Sequence, residues 1–116
     1  MAHLLNRVVC VAEALTGLVL LANPSFVAEM LLGSDVTGAG VVISRIGGIA
    51  LIGLGVSCWP GGGARGLQGM TIYNILVASY MAFVGMGGHQ VGTFWWPAVA
   101  THAVVGILLA RALVKK

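Results

Sequence analysis

With 116 residues, 59% of them hydrophobic and only 8% charged, a net charge of +3 and a mean hydropathy of +1.01, this chain has too little polar surface to wet a globule. Soluble domains carry about 25% charged residues, so the composition excludes an ordinary soluble enzyme and indicates an integral membrane protein. The basic residues are scattered, without the clustering that phosphate binding needs, which excludes nucleic acid as a partner.

Each transmembrane helix takes about 20 apolar residues. Four of them with short connections fill the chain and leave no room for a catalytic head outside the bilayer. The first span is predicted over 4–22, where RVVCVAEALTGLVLL (7–21) is apolar except for Glu13. A cleaved signal peptide fits poorly, because Glu13 interrupts the apolar run and Leu20-Leu21-Ala22 is a poor cleavage site. The segment is read as a permanent helix. Asn23-Pro24 ends it, since proline disfavours helix in the residue before it. SFVAEMLL (25–32) places Phe26, Val27, Met30 and Leu31 on one side and predicts a short interfacial helix. Gly33-Ser34-Asp35 reads as a turn and Thr37 to Gly40 as a flexible lead-in. The second span is predicted over 41–59, the third over 67–85 and the fourth over 94–113, with breaks at Pro60 to Gly63 and at Gly85 to Gly88. The expected fold is all-α, a single four-span membrane bundle.

Loop charges set the expected orientation. Arg7, Arg65, Arg111, Lys115 and Lys116 share one side, while the first connection holds Glu29 and Asp35. The positive-inside rule then puts both termini and the second loop in the cytoplasm. Trp95 and Trp96 mark the outer interface and Trp59 the inner one. Small residues at four-residue spacing (Ser44/Gly48, Gly53/Ser57 and Ala98/His102/Gly106/Ala110) predict close helix packing. Cys10 and Cys58 fit no CxxC pair and read as buried thiols, small apolar fillers, with a metal site or a functional disulfide as the lesser alternative.

A carboxylate at the centre of a bilayer helix costs on the order of 3 kcal/mol. Glu13 therefore stands out. It shares a face of its helix with Asn6, Cys10 and Gly17. Counting 1.5 Å per residue from the predicted span ends puts Glu13 roughly 13 Å and Asn74 roughly 10 Å from the inner surface. Glu13, Asn74 and Tyr73 form a candidate inner layer, a proton, cation or ligand site. Arg45, His102 and Tyr80 form a candidate outer layer, with Arg45 snorkelling to meet Glu29 or Asp35 or contacting an anion. A direct Glu13–Arg45 bridge is opposed by a separation of roughly 10 Å along the membrane normal. The plain alternative for each polar residue is interhelical hydrogen bonding that fixes packing. No nucleophile–base pair, phosphate loop or metal-ligand cluster is present. A haem at His102 would lack a second axial histidine, because His3 belongs at the opposite side and His89 in the outer loop. No cofactor and no metal are predicted, and an enzyme or redox carrier centred on His102 and Tyr80 is kept only as a third, weaker reading.

The segments NPSFVAEMLLG, RIGGIALIGLGVSCW, IYN and WWPAVATHAVVGILL resemble a group of short bacterial four-helix membrane proteins and, more distantly, DoxX-like membrane proteins. That resemblance implies a bacterial plasma (inner) membrane and brings no catalytic residue or ligand. The length, four spans and one acid in the first helix are also similar to small multidrug resistance transporters, which exchange protons for cations at that acid. This chain departs from them in having Tyr73-Asn74 in the third helix, Trp59 at the end of the second and the additional segment 24–32. The leading functional expectation is a non-enzymatic accessory or structural subunit that packs against other membrane proteins or itself. The alternative is a small proton-coupled transporter or ligand-binding bundle using Glu13.

Overall fold

A computed structural model describes residues 2–59, 61 and 63–115. Five helices account for most of them: α1 (Ala2–Ala22), α2 (Pro24–Leu32), α3 (Ala39–Ser57), α4 (Gly63–Met86) and α5 (Trp95–Val114). Four, all but α2, are long and apolar enough to cross a membrane. The molecule measures 43 × 28 × 18 Å, and its long axis matches a bilayer with its headgroups, about 40–45 Å.

Local chemistry explains the helix ends. Asn23 closes α1 and caps α2, its Oδ1 accepting from Phe26 N at 3.2 Å, while Pro24 takes the first helical position. Gly33 adopts a left-handed φ of 70° and donates its N–H to Glu29 O, which stops α2. The third span starts at Gly63, four residues before Leu67. Gly63 itself has φ of 69°, so the last glycine of the break already opens the helix.

The helices associate as two pairs. α1 lies along α3, α4 lies along α5, and the pairs touch each other far less. The α1–α3 contact depends on absent side chains. A Cβ on Gly48 would lie 2.6 Å from Gly17 O and 2.8 Å from Leu21 N, and one on Gly55 would lie 2.6 Å from Cys10 O. These contacts set an antiparallel register in which Gly17 faces Gly48 and Cys10 faces Gly55. Gly53, expected to pack with Ser57, instead points into open space. In the second pair, Gly106 admits Ile75 and Gly85 admits Trp95 and Trp96.

Cys10 and Cys58 are joined in a disulfide with Cα atoms 5.8 Å apart. The expectation of two thiols is therefore corrected. Asn6 sits beside the bridge and donates from Nδ2 to Cys58 O at 2.9 Å, satisfying a carbonyl at the end of α3. The buried apolar core gathers Val9, Cys10, Cys58, Leu67, Met70 and Leu109. At the other end, Gly92 N and Phe94 N donate to Leu31 O and Met30 O, pinning the segment before α5 to α2. Trp95 Nε1 donates to Met81 O at 3.1 Å.

Large apolar side chains such as Ile43, Val56 and Phe83 stand outward, each about two-thirds or more exposed. Hydroxyls inside the long helices bond back four residues within their own helix, as Thr16 does to Ala12 O and Thr71 to Leu67 O. Those hydroxyls are thereby satisfied without a partner from outside their own helix.

Candidate functional site

Three helices bring four polar side chains together at the seam between the pairs. α1 supplies Glu13, α4 supplies Tyr73 and Asn74, and α5 supplies His102. Glu13 is 7% exposed and Asn74 only 1%. The Tyr73 hydroxyl lies beside the Glu13 carboxyl across the seam. The Tyr73 ring meets the His102 ring edge-on, with centroids 5.8 Å apart and planes at 83°. His102 Nδ1 lies 2.8 Å from Asn74 Oδ1, and Asn74 Nδ2 donates to Met70 O at 2.9 Å. The second bond orients the amide with its oxygen toward the imidazole. An amide oxygen only accepts, so Nδ1 is the protonated ring nitrogen. Nε2 is then the nitrogen free to exchange a proton.

His102 thus belongs with Asn74, not with Arg45 and Tyr80, and the two-layer expectation is corrected. The reason is the early start of α4. Four added residues move Asn74 about 6 Å deeper, to the middle of the 24-residue helix and within reach of His102. Tyr80 is 68% exposed and joins nothing in this cluster. Arg45 is also exposed. In the α1–α3 register Glu13 is level with Ile52, seven residues from Arg45, so the two are about 10 Å apart along the helix. Among the described residues no ion pair joins Arg45 to Glu29 or Asp35.

Among the described residues no salt bridge reaches the carboxyl. Arg7, Arg45, Arg65, Arg111 and Lys115 are all exposed. Lys116 lies outside the described residues. Among the described residues, no group of three or more His, Cys, Asp or Glu side chains could hold a metal ion. Chemically, the cluster offers one carboxyl, one phenol and one imidazole as neighbours, groups that pass or hold a proton. In a medium of low dielectric an unsatisfied polar atom would be costly, and among the described residues no fully buried side-chain polar atom lacks a partner.

A second feature lies toward the C-terminal end of α1. An apolar cleft of about 320 Å³ is bounded by α1, α2, the start of α3 and Trp95. The disulfide and Asn6 were not singled out as functional. The available signal was that Cys10 and Cys58 lie near the same end of two antiparallel helices. Comparison with known protein families, characterised proteins and solved structures gave no match.

Proposed function

We propose that this chain is a small non-enzymatic integral membrane protein whose working part is the polar seam, with Glu13 exchanging a proton for a cationic ligand in a transport or binding cycle. The observation that carries this reading is the position of Glu13. It is buried at the weak contact between two tightly zipped helix pairs, beside Tyr73, and among the described residues every lysine and arginine is exposed. Moving one pair against the other would open the carboxyl without breaking either pair. A bound cation would then take the place of the proton. The basic side chains near the starts of α1 and α4 and the end of α5 support an orientation with both termini in the cytoplasm, and the DoxX-like segments support a bacterial plasma membrane.

The test is proton release from the purified protein in weakly buffered detergent on addition of a lipophilic cation such as tetraphenylphosphonium. The unaltered chain releases protons in a saturable way and Glu13→Gln does not. Equal release from both, or none from either, contradicts the proposal.

A second reading is lateral docking, as an accessory subunit or a homo-oligomer. It is favoured by an exposed ridge on α3 formed by Val42, Ile46, Ile49 and Val56 around the open surface of Gly53. Small residues within such a ridge let a neighbouring helix approach closely. The mass of the complex extracted gently from native membranes tests it, and a monomer without companions contradicts it.

A further inference from the structure

The Cys10–Cys58 bridge sits where the two helix pairs meet. Both of its residues are buried, Cys10 with 1% and Cys58 with 2% of its surface exposed. Around them the core joins Val9 of α1 to Leu67 and Met70 of α4 and to Leu109 of α5, and Tyr73 packs against the same cluster. Cys10 precedes Glu13 by three residues on one face of α1, about 4.5 Å along the axis. Cys58 ends α3, and only the segment 58–62 leads from there to α4, which carries Tyr73 and Asn74. The start of α4 leans on that same end: a Cβ on Gly66 would lie 2.5 Å from Ser57 O and 3.1 Å from Cys58 Cα. The bridge therefore ties the hinge between the pairs to α1, one turn from the carboxyl that their separation would uncover.

We infer that the Cys10–Cys58 pair is a reversible redox site that controls access to Glu13, holding the seam shut when oxidised and loosening it when reduced by a dithiol. The inference rests on the seam reading and on the orientation proposed above, which puts this end of α1 and α3 toward the cytoplasm. Thiols are kept reduced in that compartment, and disulfides that form there are usually transient, catalytic or redox-sensing. A thiolate of the dithiol attacks one sulfur of the bridge, which breaks the Cys10–Cys58 bond and forms a mixed disulfide. The second thiol of the reagent then displaces the protein sulfur and closes a disulfide in the reagent. Two electrons and two protons pass from the dithiol to the protein, which is left with two thiols. Reduction frees the Cys58 end of α3 from α1, and the start of α4 resting on it gains room to carry Tyr73 away from Glu13. The close approach of Gly17 and Gly48 still holds α1 to α3, so the pair loosens at one end without coming apart.

The test is the rate at which dicyclohexylcarbodiimide, a lipid-soluble reagent for protonated carboxyls, labels Glu13 in the full chain reconstituted in phosphatidylcholine vesicles. Labelling is read by peptide mass spectrometry before and after dithiothreitol, and the thiols formed are counted by alkylation. Reduction is expected to yield two thiols and to speed Glu13 labelling several-fold, and reoxidation to restore the slow rate. Labelling of Glu29 and Asp35 should not change, and a rise shared by all three carboxyls would mean general unfolding and overturn the inference. Cys10→Ala/Cys58→Ala should label at the fast rate with or without dithiothreitol. Equal rates in the oxidised and reduced chain overturn the inference, as does a bridge that dithiothreitol cannot open while the chain stays folded, or a double variant that still responds. If the double variant does not fold, the unaltered chain before and after reduction decides alone. Redox-dependent labelling without proton release on adding tetraphenylphosphonium would sink the exchange reading and keep the gate. Proton release equal in both redox forms, with redox-independent labelling, would do the reverse.

Discussion

Glu13 and Tyr73 are neighbours across helices that otherwise barely meet. Tyr73→Phe removes the hydroxyl beside a buried carboxyl, and the expected loss is about 1–3 kcal/mol of stability, read from chemical denaturation in detergent. Asn74→Ala leaves His102 Nδ1 without an acceptor, and a loss of about 1–3 kcal/mol is expected again. The double variant Asn74→Ala/His102→Ala should lose less than the sum of the two single changes, because the second removal has no orphan left to create. Additive losses would show that the two side chains do not act together. Glu13 was legible in the sequence as a polar fault in an apolar run, and Tyr73 and Asn74 as the polar pair in the third span. His102 falls in a separate outer layer when depth is counted from Leu67, because that count misses the four residues by which α4 begins earlier. A glycine run reads as a break, and nothing local says which glycine starts the next helix.

At the scale of the helices, the α1–α3 pair is expected to be intolerant where backbones touch and indifferent elsewhere. Gly48→Ala would push a methyl against Gly17 O, and the expected cost is about 1–3 kcal/mol from overpacking. Gly53→Ala meets nothing within 4 Å and should be neutral or stabilising by up to about 1 kcal/mol from helix propensity. Thermal unfolding of the two variants side by side checks the contrast, and equal behaviour would contradict the register. The same pair carries the Cys10–Cys58 bridge, which closes a loop between residues 48 apart in sequence. Denatured protein treated with an alkylating agent should stay unmodified until reductant is added and then take two labels. Two labels without reductant would contradict the bridge. Cys10→Ser should cost on the order of 2–4 kcal/mol, within the usual range for losing a disulfide. Spacing along the chain could not reveal this pairing, because it arises only once α1 and α3 lie antiparallel in register.

For the whole molecule, the number of long helices and their apolar character were legible from composition and length. Their pairing was not. A helix that is apolar all round offers no stripe to show which side meets a neighbour, so partners are chosen by small residues and polar contacts spread over distant parts of the sequence. The result is two firm helix pairs, stapled by a disulfide in one and glycine contacts in both, meeting at a seam lined by Glu13, Tyr73, His102 and Asn74. The central claim is that this seam contains a carboxyl able to gain and lose a proton. Infrared difference spectroscopy of the protein in lipid, recorded while pH is varied, tests it most directly. A protonated carboxylic C=O band should be present at low pH and vanish as pH rises. One component of it should shift in frequency in Tyr73→Phe and be missing in Glu13→Gln, beside the bands of Glu29 and Asp35 that both variants keep. Spectra of Glu13→Gln identical to those of the unaltered chain across the whole pH range in which the protein stays folded would contradict the account.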